Sequence, residues 1–264
     1  MQLAGAHVLV TGASRGIGAH VAQRAAPRGA TVTVVARSAD PLHELAERIG
    51  GYAVPVDLAD PAQRSGLIQR VEGGRAGRPV DVLVNAAGTD GVGSLLATSE
   101  RTMQGLFQVN LLAPTELSRQ VVPGMVARGR GQIVNVSSGF STVVTAGLAS
   151  YCSSKAGLSH FTAALRQELT GTGVGTTLVE LGPVRTAMIA AIPEDRLTGP
   201  SLRRLLRLHV TPMVEPDDVA KKVCEAVERD RAHVVLPKRM IPAVGLTWLP
   251  RRVADLLLSG LPKR

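Results

Sequence analysis

Residues His7–Thr11 read His-Val-Leu-Val-Thr, an apolar, β-branched run without polar alternation. The chain then turns through Thr11-Gly12-x-x-x-Gly16-x-Gly18 into a helical pattern that ends near Arg28. A strand that does not alternate is buried on both faces. A glycine-rich turn between such a strand and a helix is a phosphate cradle, because glycine lets the backbone approach a pyrophosphate and the helix N-terminus offers free N–H groups and a positive dipole end. The alternation continues. Strand-like segments at Thr31–Ala36, Tyr52–Val56, Asp81–Val84, Gly131–Val136 and Val174–Leu181 are separated by helical segments at Pro41–Ile49, Pro61–Glu72, Ser99–Ala127 and Ser150–Leu169. Ala187–Leu208 and Asp217–Val227 read as helical, and His233–Leu236 as an edge strand. This is the pattern of an α/β, Rossmann-like, doubly wound parallel sheet of about seven strands with helices on both faces. No composition break divides the body. We expect one dinucleotide-binding and catalytic domain over 1–237, a substrate lid over 186–214, and a C-terminal tail over 238–264.

The end of the second strand selects the nucleotide. An NAD site wants a carboxylate there for the ribose hydroxyls, and an NADP site wants a cation for the 2′-phosphate. Ala36 and Arg37 stand at that place, and Arg15 in the glycine turn can reach the same phosphate. NADP(H) is therefore expected over NAD, with Asp40 as the nearby acid that argues the other way.

Further along, Asn85-Ala86-Ala87-Gly88, Asn110, Ser138, Tyr151-x-x-x-Lys155 and Gly182-Pro183-Val184-Arg185-Thr186 occur in order. With the glycine turn, this set resembles the short-chain dehydrogenase/reductase family, strongly over residues 5–186 and loosely over 187–236. The resemblance implies an oxidoreductase that moves a hydride between a nicotinamide and a carbonyl or secondary alcohol. Tyr151 would be the acid–base, Lys155 would lower its pKa and bind the nicotinamide ribose, Ser138 would donate to the substrate oxygen, and Asn110 would hold a water of a proton relay behind Lys155. The chemistry is consistent: residues four apart on a helix share a face, and a phenol near pKa 10 needs a neighbouring cation to act near neutral pH. Ser137 stands beside Ser138, but the spacing to Tyr151 favours Ser138. The implied cofactor contacts are Gly12, Ser14, Arg15, Gly16, Ile17, Gly18, Arg37, Asp57, Leu58, Asn85, Ala86, Gly88, Tyr151, Lys155, Gly182, Pro183, Val184 and Thr186. Asp57 (side chain) and Leu58 (backbone) would flank the adenine. Two positions depart from the family: Ala86 replaces a second Asn, and Leu181 replaces the Pro before Gly182. Members commonly form homodimers or homotetramers through the two long helices, here about 99–127 and 150–169.

Other classes find no footing. Three Phe, two Tyr and one Trp give no stacking platform for nucleic acid, and no recognition motif accompanies the net charge of +9. The six histidines (7, 20, 43, 160, 209 and 233) show no ligand spacing, so no metal is expected. Cys152 and Cys224 read as reduced thiols of a cytoplasmic protein. No basic-then-apolar leader opens the chain and no run of ~18 apolar residues occurs.

Residues 196–264 carry an excess of seven positive charges, against two for residues 1–195. The lid segment holds Met188, Ile189, Ile192, Pro193, Leu202, Leu205 and Leu208, which suits a small hydrophobic carbonyl or alcohol substrate, steroid-, retinoid- or acyl-like, and equally a segment that simply packs on the body. Lys238–Arg264 interleaves six basic residues with aliphatics and Trp248. It fits an interfacial membrane segment, which would make the protein membrane-associated, and equally a subunit contact or a pocket cover, with a solvated end as the remaining reading. Beside the enzyme stands a second class, a catalytically silent NADP(H)-binding sensor or scaffold of the same fold. The intact Asn110, Ser138, Tyr151 and Lys155 set favours the enzyme.

Overall fold

Successive residues of the central strands enter two different cores. Val8 and Val10, Val82 and Val84, and Val134 face one cluster, while Leu9, Leu83 and Ile133 face another. Both faces of the sheet are therefore apolar, which is why these strands show no polar alternation in sequence. The structure, a computed structural model, describes residues 1–190, 195–207, 211–242 and 244.

The strands are β1 (His7–Thr11), β2 (Thr31–Ala36), β3 (Tyr52–Pro55), β4 (Val82–Asn85), β5 (Gly131–Val136), β6 (Val174–Leu181) and β7 (His233–Leu236). They form one parallel sheet in the order β3-β2-β1-β4-β5-β6-β7. The winding reverses between β1 and β4, and in such sheets ligands bind where the carboxyl ends of the strands meet that reversal.

Helices α1 (Gly16–Ala25) and α2 (Ala39–Ile49) lie on the first core with α10 (Pro216–Glu228). The second core takes side chains from α4 (Leu67–Glu72), α6 (Ala113–Ala127) and α7 (Ala149–Glu168). Leu67, Leu117 and Met125 are fully buried there, each contributing about 1.5–3 kcal/mol by leaving water.

Three stretches depart from the simple helical reading. Pro61–Glu72 is two helices, α3 (Pro61–Arg64) and α4, divided at Ser65–Gly66, where Gly66 takes φ +62°. The stretch 99–127 is α5 (Glu100–Phe107), a π-turn over Gln108–Leu112, and α6. The Ala113 N–H reaches back five residues to the Gln108 carbonyl. In the lid, α8 (Ala187–Ala190) and α9 (Thr198–Arg207) are separate. The lid's Ile192, Pro193 and Leu208, and the tail's residues 243 and 245–264, lie outside the described residues. No helix among the described residues is long and apolar enough to cross a membrane.

Candidate active site

The carboxyl ends of β1 and β4 are joined by one side chain. The Thr11 hydroxyl accepts from the backbone N–H groups of both Ala86 and Ala87, each at 3.2 Å. This grip holds the loop by its backbone, so the alanine at position 86 keeps its place without the amide that the family pattern has there. Gly12 follows, at φ +67°, and a Cβ on it would stand 2.6 Å from Ala87 Cα. A Cβ on Gly18 would meet the Gly12 carbonyl oxygen at the same distance. Any side chain at either position would force these loops apart, so the turn is closed to everything but glycine. The Asn85 side chain lies below the cleft floor, donating to Asn135 Oδ1 at 2.8 Å and tying β4 to β5. Its own Oδ1 is buried with no hydrogen-bond partner among the described residues.

A cleft of about 1130 Å³ opens over this floor. Gly12, Ser14, Arg15, Gly16, Ile17, Gly18, Arg37, Asp57, Leu58, Ala86 and Gly88 line one part of it, and Ser138, Tyr151, Lys155, Gly182, Pro183, Val184 and Thr186 line another. Of the residues singled out in the sequence, Asn85 and Asn110 lie behind its wall. At one end Arg15 and Arg37 are both exposed, and Asp40 sits in the first turn of α2 without reaching the cleft. Asp57 folds back to accept from the Ala59 N–H at 2.9 Å, and the Leu58 carbonyl accepts from the buried Arg64 at 2.6 Å.

At the other end, Ser138 ends the β5 segment and caps a short turn, its hydroxyl accepting from the Phe140 N–H at 3.2 Å. Ser137 turns the other way, toward α7, donating to the Lys155 carbonyl at 3.1 Å. Tyr151 and Lys155 project from the first turns of α7. The Lys155 ammonium donates to the Val136 carbonyl at 3.1 Å and lies 5.9 Å from the centre of the Tyr151 ring. Burial pushes the Tyr151 phenol up to about 12; the adjacent Ser138 hydroxyl opposes that rise and the Asp90 carboxylate adds to it. Burial brings Lys155 down to about 8. Both shifts have the same physical origin, since each site disfavours the charged form once water is removed.

Asn110 is fully buried in the π-turn. Its amide donates to the Thr89 carbonyl at 2.9 Å and to Ser154 Oγ at 3.1 Å, while its Oδ1 accepts from the Thr89 N–H at 2.9 Å. The side chain thus clamps the loop after β4 to α7, and Gly88 sits between it and Lys155: a Cβ there would stand 3.5 Å from both Asn110 Oδ1 and Lys155 Nζ. The segment 182–186 is held from outside. The Gly182 N–H donates to the Leu236 carbonyl at 2.7 Å, and Val184 bridges to Val214. The first part of the tail arrives here as well, with Met240 packed beside Gly139 and Gly182.

Thr11 stood in the glycine-turn motif without a role of its own, and Ser154 and Asp90 went unremarked in the sequence. Thr11 had a visible signal, a hydroxyl at the strand end directly before the glycine turn. Asp90 had none, because what surrounds it is brought together only by the fold. Among the described residues no group of three His, Cys, Asp or Glu is placed to hold a metal ion.

Comparison with known proteins agrees with this arrangement. A family model described as short chain dehydrogenase matches residues 6–197. A ketoacyl reductase, HetN, of Nostoc sp. is 36% identical over 245 residues, covering 90% of this chain and 81% of its own. A 3-oxoacyl-[acyl-carrier-protein] reductase, FabG, of Vibrio cholerae is 30% identical, covering 89% and 94%. Among solved structures, a short-chain dehydrogenase from Sphingobium yanoikuyae in complex with NADPH superposes with a TM-score of 0.77 at 26% identity, covering 98% and 97%. A metagenomic short-chain oxidoreductase in complex with NADP gives 0.72 at 31% identity, covering 89% and 98%. With its parallel sheet reversed at β1 and β4, its glycine turn, and Tyr151 and Lys155 at the head of α7, the chain belongs to the short-chain dehydrogenase/reductase family of oxidoreductases.

Proposed function

We propose that the protein is an NADP(H)-dependent oxidoreductase acting between a carbonyl and a secondary alcohol on a largely apolar substrate, with Tyr151 as acid–base. The observation that carries this reading is that Ser138, Tyr151 and Lys155 share one end of a cleft whose floor is the glycine turn. The donor set fits a dinucleotide. Gly12 and Gly18 leave a backbone cradle at a helix N-terminus, and Arg15 and Arg37 offer two cations where a 2′-phosphate would lie. The NADP(H) named in the solved relatives points the same way.

When bound, the nicotinamide supplies or takes up the hydride. The chain's own residues do the rest. The Ser138 and Tyr151 hydroxyls orient the carbonyl oxygen, and Tyr151 gives it a proton as the alkoxide forms. Lys155, charged at neutral pH, stabilises the phenolate left behind. Met188, Ile189 and Leu148 give the substrate end an apolar lining. Subunit pairing through α5–α7, where Leu112 and Val126 remain exposed, belongs to the same reading.

NADPH consumption measured against NADH over a panel of apolar aldehydes and ketones, with Tyr151→Phe as control, tests it. NADPH-preferring turnover lost at least a hundredfold in Tyr151→Phe is expected, since removing a positioned general acid costs roughly 10²–10⁴. Binding of NADPH with no turnover of any compound would return the protein to the sensor or scaffold class.

A further inference from the structure

Among the charged groups of the cleft that take no part in the chemistry above is a carboxylate. Asp90 follows Gly88-Thr89 on the loop after β4 and lines the cleft. Its position is fixed from behind, because both the N–H and the carbonyl of Thr89 are clamped by Asn110 at 2.9 Å. The Asp90 carboxylate is half-buried, lies within electrostatic reach of both Arg15 and Tyr151, and has no hydrogen-bond or ion-pair partner among the described residues. Such an acceptor, partly stripped of water and left without a donor, gains most from a ligand that brings one.

We propose that Asp90 is a specificity-determining residue that accepts a hydrogen bond from a hydroxyl of the substrate, so that the cleft takes hydroxylated apolar ketones or their diols in preference to plain ketones and rejects keto acids. The inference rests on the reading of the cleft as a carbonyl–alcohol site, and it narrows the substrate from apolar to apolar with one donor. Burial and Arg15 also bear on the charge of Asp90 itself: desolvation raises its pKa, and Arg15 opposes the rise. A second carboxylate brought by a keto acid would meet this one in a partly dry space, where like charges repel strongly.

The test compares 2-octanone, hydroxy-2-octanones with the hydroxyl at C1, C3 or C4, and 2-oxooctanoate in the wild type, Asp90→Ala and Asp90→Asn. The expected result is that the best hydroxyketone exceeds 2-octanone about ten- to a hundredfold in kcat/KM, carried by KM, as a hydrogen bond to a charged acceptor would give. The keto acid should be the poorest substrate. In Asp90→Ala the hydroxyketone-to-ketone ratio falls toward one. In Asp90→Asn, which keeps an acceptor and loses the charge, part of the ratio survives and the keto acid improves. Calorimetric binding of the matching octanediols against 2-octanol, with the reduced cofactor NADPH bound so that no hydride can move, reads the same preference without turnover. A ratio near one for every hydroxyketone in the wild type, or a ratio kept by Asp90→Ala, overturns the assignment of Asp90 while leaving the oxidoreductase reading intact. Diol preference that depends on Asp90 without turnover of any ketone upholds Asp90 and overturns the oxidoreductase reading. Neither turnover nor diol preference sinks both.

Discussion

Lys155 stands one helical turn beyond Tyr151 on α7, its ammonium 5.9 Å from the centre of the phenol ring and 3.1 Å from the Val136 carbonyl. Val136 closes β5, so the sheet itself fixes the cation relative to the acid.

That relationship sets a pH limit on carbonyl reduction. Tyr151 stays protonated far above neutrality, whereas Lys155, lowered to about 8 by burial, gives up its charge as the pH rises through that value. Proton donation then loses the cation that stabilises the phenolate. The kcat/KM for reduction should be level below about pH 8 and decline above it, while Lys155→Met is slow throughout and lacks the break. A wild-type profile flat to pH 10 contradicts this account.

The same lysine makes a stability prediction of opposite sign. Between about pH 8 and its ordinary value of 10.5, the unfolded chain holds a proton on Lys155 that the folded chain does not. Stability therefore rises with pH across that window. The difference in thermal midpoint between the ligand-free wild type and Lys155→Met should show this rise in the wild type's favour, and a constant difference from pH 7 to 10 counts against it.

Gly12→Ala places a methyl where Ala87 Cα lies 2.6 Å away, at a positive φ. The φ alone costs about 1–2 kcal/mol, and the overlap forces the β1 and β4 loops apart. NADPH affinity should fall by at least a hundredfold in fluorescence titration, or the protein should fail to fold. A soluble variant with wild-type affinity would remove the cradle from the account.

Arg37 tests the choice of nucleotide. Arg37→Ala removes a charge-assisted contact worth about 1.5–3 kcal/mol, so the ratio of kcat/KM for NADPH over NADH should drop roughly tenfold or more. An unchanged ratio would leave Arg15 as the sole selector.

Glu180 is a fully buried carboxylate on β6 that accepts from Ser141 and lies 2.6 Å from His233 Nε2 on β7. Ser141 belongs to the turn capped by Ser138, so this group ties the edge strand to the catalytic end of the cleft. Glu180→Ala removes both contacts from a fully buried site, at a cost of roughly 3 kcal/mol and about 5–10 °C in Tm. Glu180→Gln should cost less, since it can still bond both. Equal midpoints for wild type and Glu180→Ala would show that the network contributes nothing.

What was legible in the sequence was what is encoded locally. The strand ends, the glycine turn and the four-residue spacing of Tyr151 and Lys155 each lie within a single segment. Ala86 and Leu181 were visible as departures, but why the first is tolerated was not, because the Thr11 hydroxyl that holds the Ala86 backbone comes from 75 residues away. Asp90 and Glu180 looked like ordinary acids for the same reason. The groups around each are delivered by other strands and helices, and only folding brings them together. The break at Asn110 was invisible because a hydrophobic period continues across it.

That break has a geometric consequence. A π-turn carries one residue more than the α-helix it interrupts, and each extra residue advances the helical phase by about 100°. Ahead of it, Thr102, Gly105 and Leu106 look into the cleft; behind it, Leu117, Val121 and Met125 look into the second core. Residues 108–112 act as a phase shifter within one long rod. Excising a single residue there would leave composition and charge almost untouched, yet rotate the cleft wall and the core face out of alignment with each other.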